Sequence, residues 1–130
     1  MKRIAVPLIL LAVTLGSCNK GFSPEGPSDI RIRNLTDQTF DTITVDTSGG
    51  SNGYSAVSPG EYSDYKRFDK AYPIAEVSVV IGGETYSTGP QNYNYWTVLG
   101  QGKFTYEVFI ENPTLKKLKI QRVIPEAPLD

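Results

Sequence analysis

Phe104-Thr105-Tyr106-Glu107-Val108-Phe109-Ile110 places Phe104, Tyr106, Val108 and Ile110 at every second position. A period of two sends alternate side chains to opposite faces of an extended chain, so these four share one face of a strand. The same rhythm recurs upstream in Ile30-Arg31-Ile32-Arg33, in Ile43-Thr44-Val45 after Phe40, and in the dense β-branched run Val77-Ser78-Val79-Val80-Ile81. Downstream, Leu118-Lys119-Ile120-Gln121 alternates again. Turn chemistry separates these runs. Gly82-Gly83 suits a two-residue hairpin that needs positive φ at both positions. Ser58-Pro59-Gly60-Glu61 fits a type II turn, and Asn112-Pro113 breaks the chain once more. The pattern predicts an all-β fold: an antiparallel β-sandwich of about seven or eight strands spanning residues 30–124.

The ends read differently. Lys2 and Arg3 precede an apolar run over residues 4–15, shorter than the ~20 residues a helix needs to cross a bilayer. Gly16, Ser17 and then Cys18 follow. Residues 1–17 therefore read as a secretory leader, to be set apart from fold reasoning. Of the chain's 130 residues, 113 remain after it, enough for one core. Residues 19–29 hold two prolines, two glycines and two serines, and with Cys18 are expected to form a flexible tether (18–29). Residues 125–130 are expected to be a disordered tail.

Leu15-Gly16-Ser17-Cys18 closely resembles the lipobox of bacterial lipoproteins. The resemblance implies that Cys18 is the lipidation site, carrying diacylglycerol and an N-acyl (palmitate-type) chain after signal cleavage, and that this anchor is the membrane contact. Asn19 is not the aspartate of an inner-membrane retention signal, which points to the cell outer membrane. The Tyr-, Asn- and Gly-rich body resembles small lipoproteins of the Bacteroidota. Residues 19–25 hold a single acid and so lack the acidic run of a surface-export tag, which favours a periplasm-facing position. Asp41-Thr42-Ile43 resembles the O-glycosylation acceptor of that group, with Thr42 as the acceptor. Val57-Ser58-Pro59-Gly60-Glu61-Tyr62-Ser63 and Leu99-Gly100-Gln101-Gly102-Lys103-Phe104-Thr105 each resemble the turn that starts a strand in immunoglobulin-like and prealbumin-like sandwich domains. Together they cover 14 of the 130 residues.

Composition excludes much chemistry. The chain has no histidine and one cysteine, so imidazole acid–base catalysis, disulfides and Cys/His zinc sites are ruled out. Glu61, Asp64, Asp69 and Glu76 could supply a carboxylate pair, but all four sit in turn-rich sequence where solvated acids are the rule. Ser58 or Ser63 with Lys66 offers a Ser–Lys pair with nothing nearby to bury the lysine. Asp46-Thr47-Ser48-Gly49-Gly50-Ser51-Asn52-Gly53 resembles a calcium loop but brings one carboxylate, which suits a flexible hairpin loop better. No catalytic residue, metal or cofactor is expected.

Tyr93-Asn94-Tyr95-Trp96 is the leading recognition candidate. Tyr and Trp give rigid faces with polar tips, and Asn supplies two-sided hydrogen bonding. The same sequence allows Trp96 to be the central core residue with the tyrosines beside it, and the core reading is preferred for Trp96. With Lys2 and Arg3 set aside, 11 basic residues face 14 acidic ones, which argues against nucleic acid. Lys116, Lys117, Lys119 and Arg122 cluster near the C-terminus, where they could attract anionic lipid headgroups or glycan, but the preferred reading is edge protection, since lysines on a terminal strand deter sheet-to-sheet aggregation. The expected function is a non-catalytic binding or accessory module for a glycan or protein partner. The alternative is a structural or inhibitory envelope protein.

Overall fold

The computed structural model describes residues 24–130; the leader and Cys18 lie outside them. The described residues form eight strands and no helix: β1 (Ser28–Asn34), β2 (Thr42–Asp46), β3 (Ser51–Tyr54), β4 (Lys66–Phe68), β5 (Glu76–Ile81), β6 (Glu84–Ser87), β7 (Gly102–Asn112) and β8 (Lys117–Ala127). They make one mixed sheet in the order β3-β2-β5-β6-β8-β7-β1-β4. The sheet curls until its two end strands meet. Asn52 Nδ2 donates to Arg67 O at 2.9 Å, Asp69 N to Gly49 O at 2.9 Å, and Thr47 Oγ1 to Lys70 O at 2.7 Å. The result is a nearly closed barrel.

The expected antiparallel sandwich is corrected on two counts. There is one continuous sheet, and two of its pairings are parallel: β1 with β7 over seven residue pairs, and β6 with β8 at Ser87 and Lys117. The β1–β7 pairing joins strands far apart in sequence with no hairpin between them, and β6 meets β8 with β7 intervening in sequence, so neither pair is held to the antiparallel sense that a tight hairpin imposes.

The period-two runs fill the interior as the alternation predicts. Ile30 and Ile32 are fully buried while Arg31 and Arg33 face outward. Phe40, Ile43, Val45, Val77, Val79, Phe104, Tyr106, Val108 and Leu118 complete most of the core. Gly82 and Gly83 adopt φ of 56° and 84° and close the β5–β6 hairpin, a geometry that would strain a residue with a Cβ. Glu61 N donates to Ser58 O at 3.0 Å across the Pro59-Gly60 turn.

The domain limits shift at both ends. Ser28 and Asp29, expected in the tether, already pair with Gly102 and Lys103. Pro125 and Ala127, expected in the tail, pair with Phe104 and Lys103, and Asp130 forms an ion pair with Lys103 at 2.7 Å. A bulge explains why the C-terminal strand is hard to read. Gln121 is an extra residue between the pairs Glu107–Arg122 and Val108–Ile120, and it moves the inward set from Leu118 and Ile120 to Val123.

Candidate functional site

The long connection from β6 to β7 carries the aromatic cluster outside the sheet. Trp96 N donates to Tyr93 O at 3.1 Å, closing Tyr93-Asn94-Tyr95-Trp96 as a tight turn, and Asn94 N donates to Asn92 Oδ1 at 3.0 Å. The turn splits the cluster. Tyr93 packs on Tyr72 with ring centroids 5.0 Å apart, and its hydroxyl donates to Asp46 O at 3.2 Å. Burial and the nearby Glu76 push the Tyr93 hydroxyl up to about 12. Asn94 and Tyr95 stand exposed at the tip, Tyr95 at 90%. Trp96 is 48% exposed, so it is not the central core residue. Tyr106 and Phe40 hold the interior that a core tryptophan would have filled.

Trp96 instead rims an apolar groove of about 670 Å³. Pro73, Ile74 and Leu99 form the same wall. The opposite wall is β8, contributing Lys119, Ile120, Gln121, Arg122, Val123 and Pro125. Five consecutive residues of a strand can line one hollow only if the hollow faces the strand's edge, because alternate side chains diverge. A second hollow of about 310 Å³ shares Ile74, Lys119 and Ile120 and continues toward Thr88 and Gln91. The groove exists because β6 leaves β8 after one residue pair. Sequence reading selected Trp96 but missed Pro73, Ile74, Val123 and Pro125, which no local pattern brings together.

The outer face of β1, β7 and β8 is polar and tightly paired. Glu107, 1% exposed, accepts from Arg33 at 3.0 Å and from Arg122 at 2.8 Å. Thr105 Oγ1 accepts from Arg31 Nε at 2.9 Å and donates to Glu126 at 2.6 Å. The Arg31 guanidinium lies 4.1 Å from the Tyr62 ring centroid and 4.9 Å from that of Tyr65. Burial raises the Glu107 carboxyl, but the hydrogen bonds from Arg122 and Arg33 outweigh it and leave it below its ordinary range. The bond from Thr105 lowers Glu126, and Lys103 lowers Asp130.

These directions set a pH profile. The lowered carboxyls lend stability that is present above their unfolded values near ~4 and is lost as pH falls through the folded values. Burial raises the hydroxyls of Tyr54 and Tyr106 as well as Tyr93, so their contribution is present below about 10 and is lost as pH rises through the folded values. With no histidine in the chain, denaturation midpoints measured across pH are expected to stay flat between about 5.5 and 9.5 and fall on both sides. A step near neutrality would contradict this account.

The other candidates are not gathered into one centre. Glu61, Asp64, Asp69 and Glu76 are all exposed. Ser63 Oγ accepts from Ile32 N at 2.8 Å and donates to Asp64 O at 2.8 Å, so it bridges β1 to the following turn, and Lys66 and Ser58 are exposed. Asp46 Oδ1 accepts from Ser48 N at 2.8 Å, and residues 51–54 of the supposed calcium loop are strand β3. Among the described residues no group of three potential metal ligands occurs. Thr42 is exposed at the start of β2. No helix among the described residues is long and apolar enough to cross a membrane.

Fold and site together define a small barrel-like β domain with a groove along one strand edge. No protein-family model matches the chain, and no curated protein matches it. One similar solved structure is a protein from Eubacterium rectale determined by NMR, at 14% identity and a TM-score of 0.49 over 74% of this chain and 89% of that one.

Proposed function

We propose that this chain is a lipid-anchored, non-catalytic binding module of the bacterial cell envelope, tethered through Cys18 and recognising its partner at the groove beside Trp96. The observation that carries the binding reading is the exposed Trp96 on the rim of a 670 Å³ apolar groove. Pockets of this size, mostly apolar with a few polar groups, are where ligands are held. The anchoring reading rests on the lipobox-like Leu15 to Cys18. Placement at the outer membrane, facing the periplasm, rests on Asn19 and on the single acid in residues 19–25, and Thr42 as a glycan acceptor rests on the separate resemblance of Asp41-Thr42-Ile43.

Two substitutions test the binding reading. Trp96→Ala removes a half-exposed side chain, so it is expected to cost at most about 1–2 kcal/mol of stability, against roughly 3–5 for a core aromatic. It should keep the fold and lose partner capture. Tyr93→Ala breaks the Tyr72 contact and is expected to destabilise measurably more than Tyr95→Ala, whose ring is free at the turn tip. If Trp96→Ala unfolds the domain, or captures every wild-type partner, the groove is not the recognition surface. For the anchor, Cys18→Ala should abolish labelling by radioactive palmitate; a labelled variant refutes it.

A further inference from the structure

We infer that the groove takes an extended peptide segment of a partner protein, rich in alternating apolar and acidic residues, which adds to the sheet as a strand along the outer edge of β8. The inference rests on the groove being the recognition site and names the class of ligand that fits it. Its first support is main-chain geometry. Val108 O accepts from Leu35 N at 2.9 Å, so Val108 directs its main-chain groups toward β1. In an antiparallel ladder the facing residue of such a pair also turns its N–H and C=O away from its neighbour. The residue facing Val108 is Ile120. Tyr106 and Phe104 lie two and four residues back on the same strand and share the orientation, so their partners Val123 and Pro125 also turn their main-chain groups away from β7, while the Val123 side chain stays against the core. Pro125 has no N–H, and it sits where β7 demands none. Ile120 and Val123 both line the groove. Beyond the Ser87–Lys117 pair no strand of the described chain continues along that edge.

The second support is the chemistry of the walls. Pro73, Ile74, Trp96 and Leu99 give apolar seats for alternate side chains of an added strand. Across the two hollows the lining holds Lys117, Lys119 and Arg122 against the single acid Glu111; Lys119 pairs with Glu111 at 3.7 Å and Arg122 with Glu107 at 2.8 Å, so a smaller basic excess remains once these pairs are made. That excess attracts a carboxylate-bearing strand and repels a second copy of the same lysine-rich edge, so edge protection and partner choice come from the same residues. A sugar would gain from Asn94 and Tyr95 beside Trp96 and Gln121, but neither Asn94 nor Tyr95 lines the groove, and Pro73, Ile74, Leu99 and Val123 of its lining are aliphatic.

Trp96 is the single tryptophan, so its emission reports on the groove directly. The full chain in lipid nanodiscs is titrated with a peptide of about seven residues alternating Val and Glu, matched to the reach of Lys119 to Pro125 at roughly 3.3 Å per residue. The expected result is a saturable emission shift, weakened by salt, with hydrogen exchange slowed at Ile120 and Val123. A peptide with Lys for Glu should bind about tenfold more weakly or worse. The Val/Glu peptide N-methylated at alternate residues leaves the protein untouched and should lose binding; Val123→Pro should do the same from the other side. Undiminished binding of the methylated peptide overturns strand addition. An emission shift with cell-wall or capsular oligosaccharides and none with peptides overturns the peptide class while leaving the groove as the recognition site. Silence of Trp96 toward every probe overturns the recognition reading itself.

Discussion

Tyr106→Ala is expected to lower the unfolding free energy by about 3–5 kcal/mol, the largest effect of any substitution proposed for this chain. Tyr106 is fully buried and is the largest side chain in the interior. Its removal costs the transfer of the ring and leaves a hollow that a nearly closed, curled sheet collapses onto only in part. The hydroxyl adds a specific link, donating to Tyr72 O at 2.6 Å, and Tyr72 carries the ring on which Tyr93 packs. Tyr106→Phe therefore separates the two contributions. It should cost only about 1 kcal/mol and loosen the seat of the aromatic turn. Equilibrium denaturation of both variants gives the comparison. A Tyr106→Phe loss equal to that of Tyr106→Ala would place the stability in the hydroxyl rather than the packing.

Glu107→Ala is expected to cost about 2–4 kcal/mol, toward the lower end of the range for breaking a buried ion pair. The carboxylate is buried, while the Arg33 and Arg122 side chains are 34% and 65% exposed as a whole, so that Arg122 above all can recover water; the Arg33 Nε is itself buried without a hydrogen-bond partner. Glu107→Gln should be milder, since it keeps the shape and one acceptor. The sign with pH is fixed by the lowered carboxyl. The difference between wild type and Glu107→Ala should be full above about pH 5 and shrink as acid protonates the wild-type group. A difference that persists unchanged into strong acid would show that the ion pair contributes nothing.

Strand β7 could be read from the sequence because Phe104, Tyr106 and Val108 turn one face to the core without interruption. Strand β8 could be read only as far as Gln121, where the bulge reverses the parity on which the reading depends. Strand β3 went unread because Ser51-Asn52-Gly53-Tyr54 buries only Tyr54 and is otherwise composed like a loop. The parallel seating of β1 left no local trace, since a pairing between distant segments requires no particular turn. The candidate site was half legible. The turn-rich stretch ahead of Tyr93 marked an exposed loop, but a lone tryptophan in a small domain looked like core. The opposite wall is an edge defined by where β6 stops, and no residue pattern encodes that.

The seating of β1 also imposes a timetable on folding. Three hairpins, β2–β3, β5–β6 and β7–β8, close over short stretches and can form as soon as each is complete. The first strand cannot. Arg31 meets Thr105, 74 residues later, and the intervening chain must be drawn in before Ile30 and Ile32 are covered. Loop closure on that scale is slow, and contacts of high sequence separation come late. A chain interrupted before Gly102 has nothing to cover the second edge of β1 and stays loose however much of it exists. The C-terminal hairpin is thus the latch of the whole domain, and the first of its strands to be made is the last to be locked.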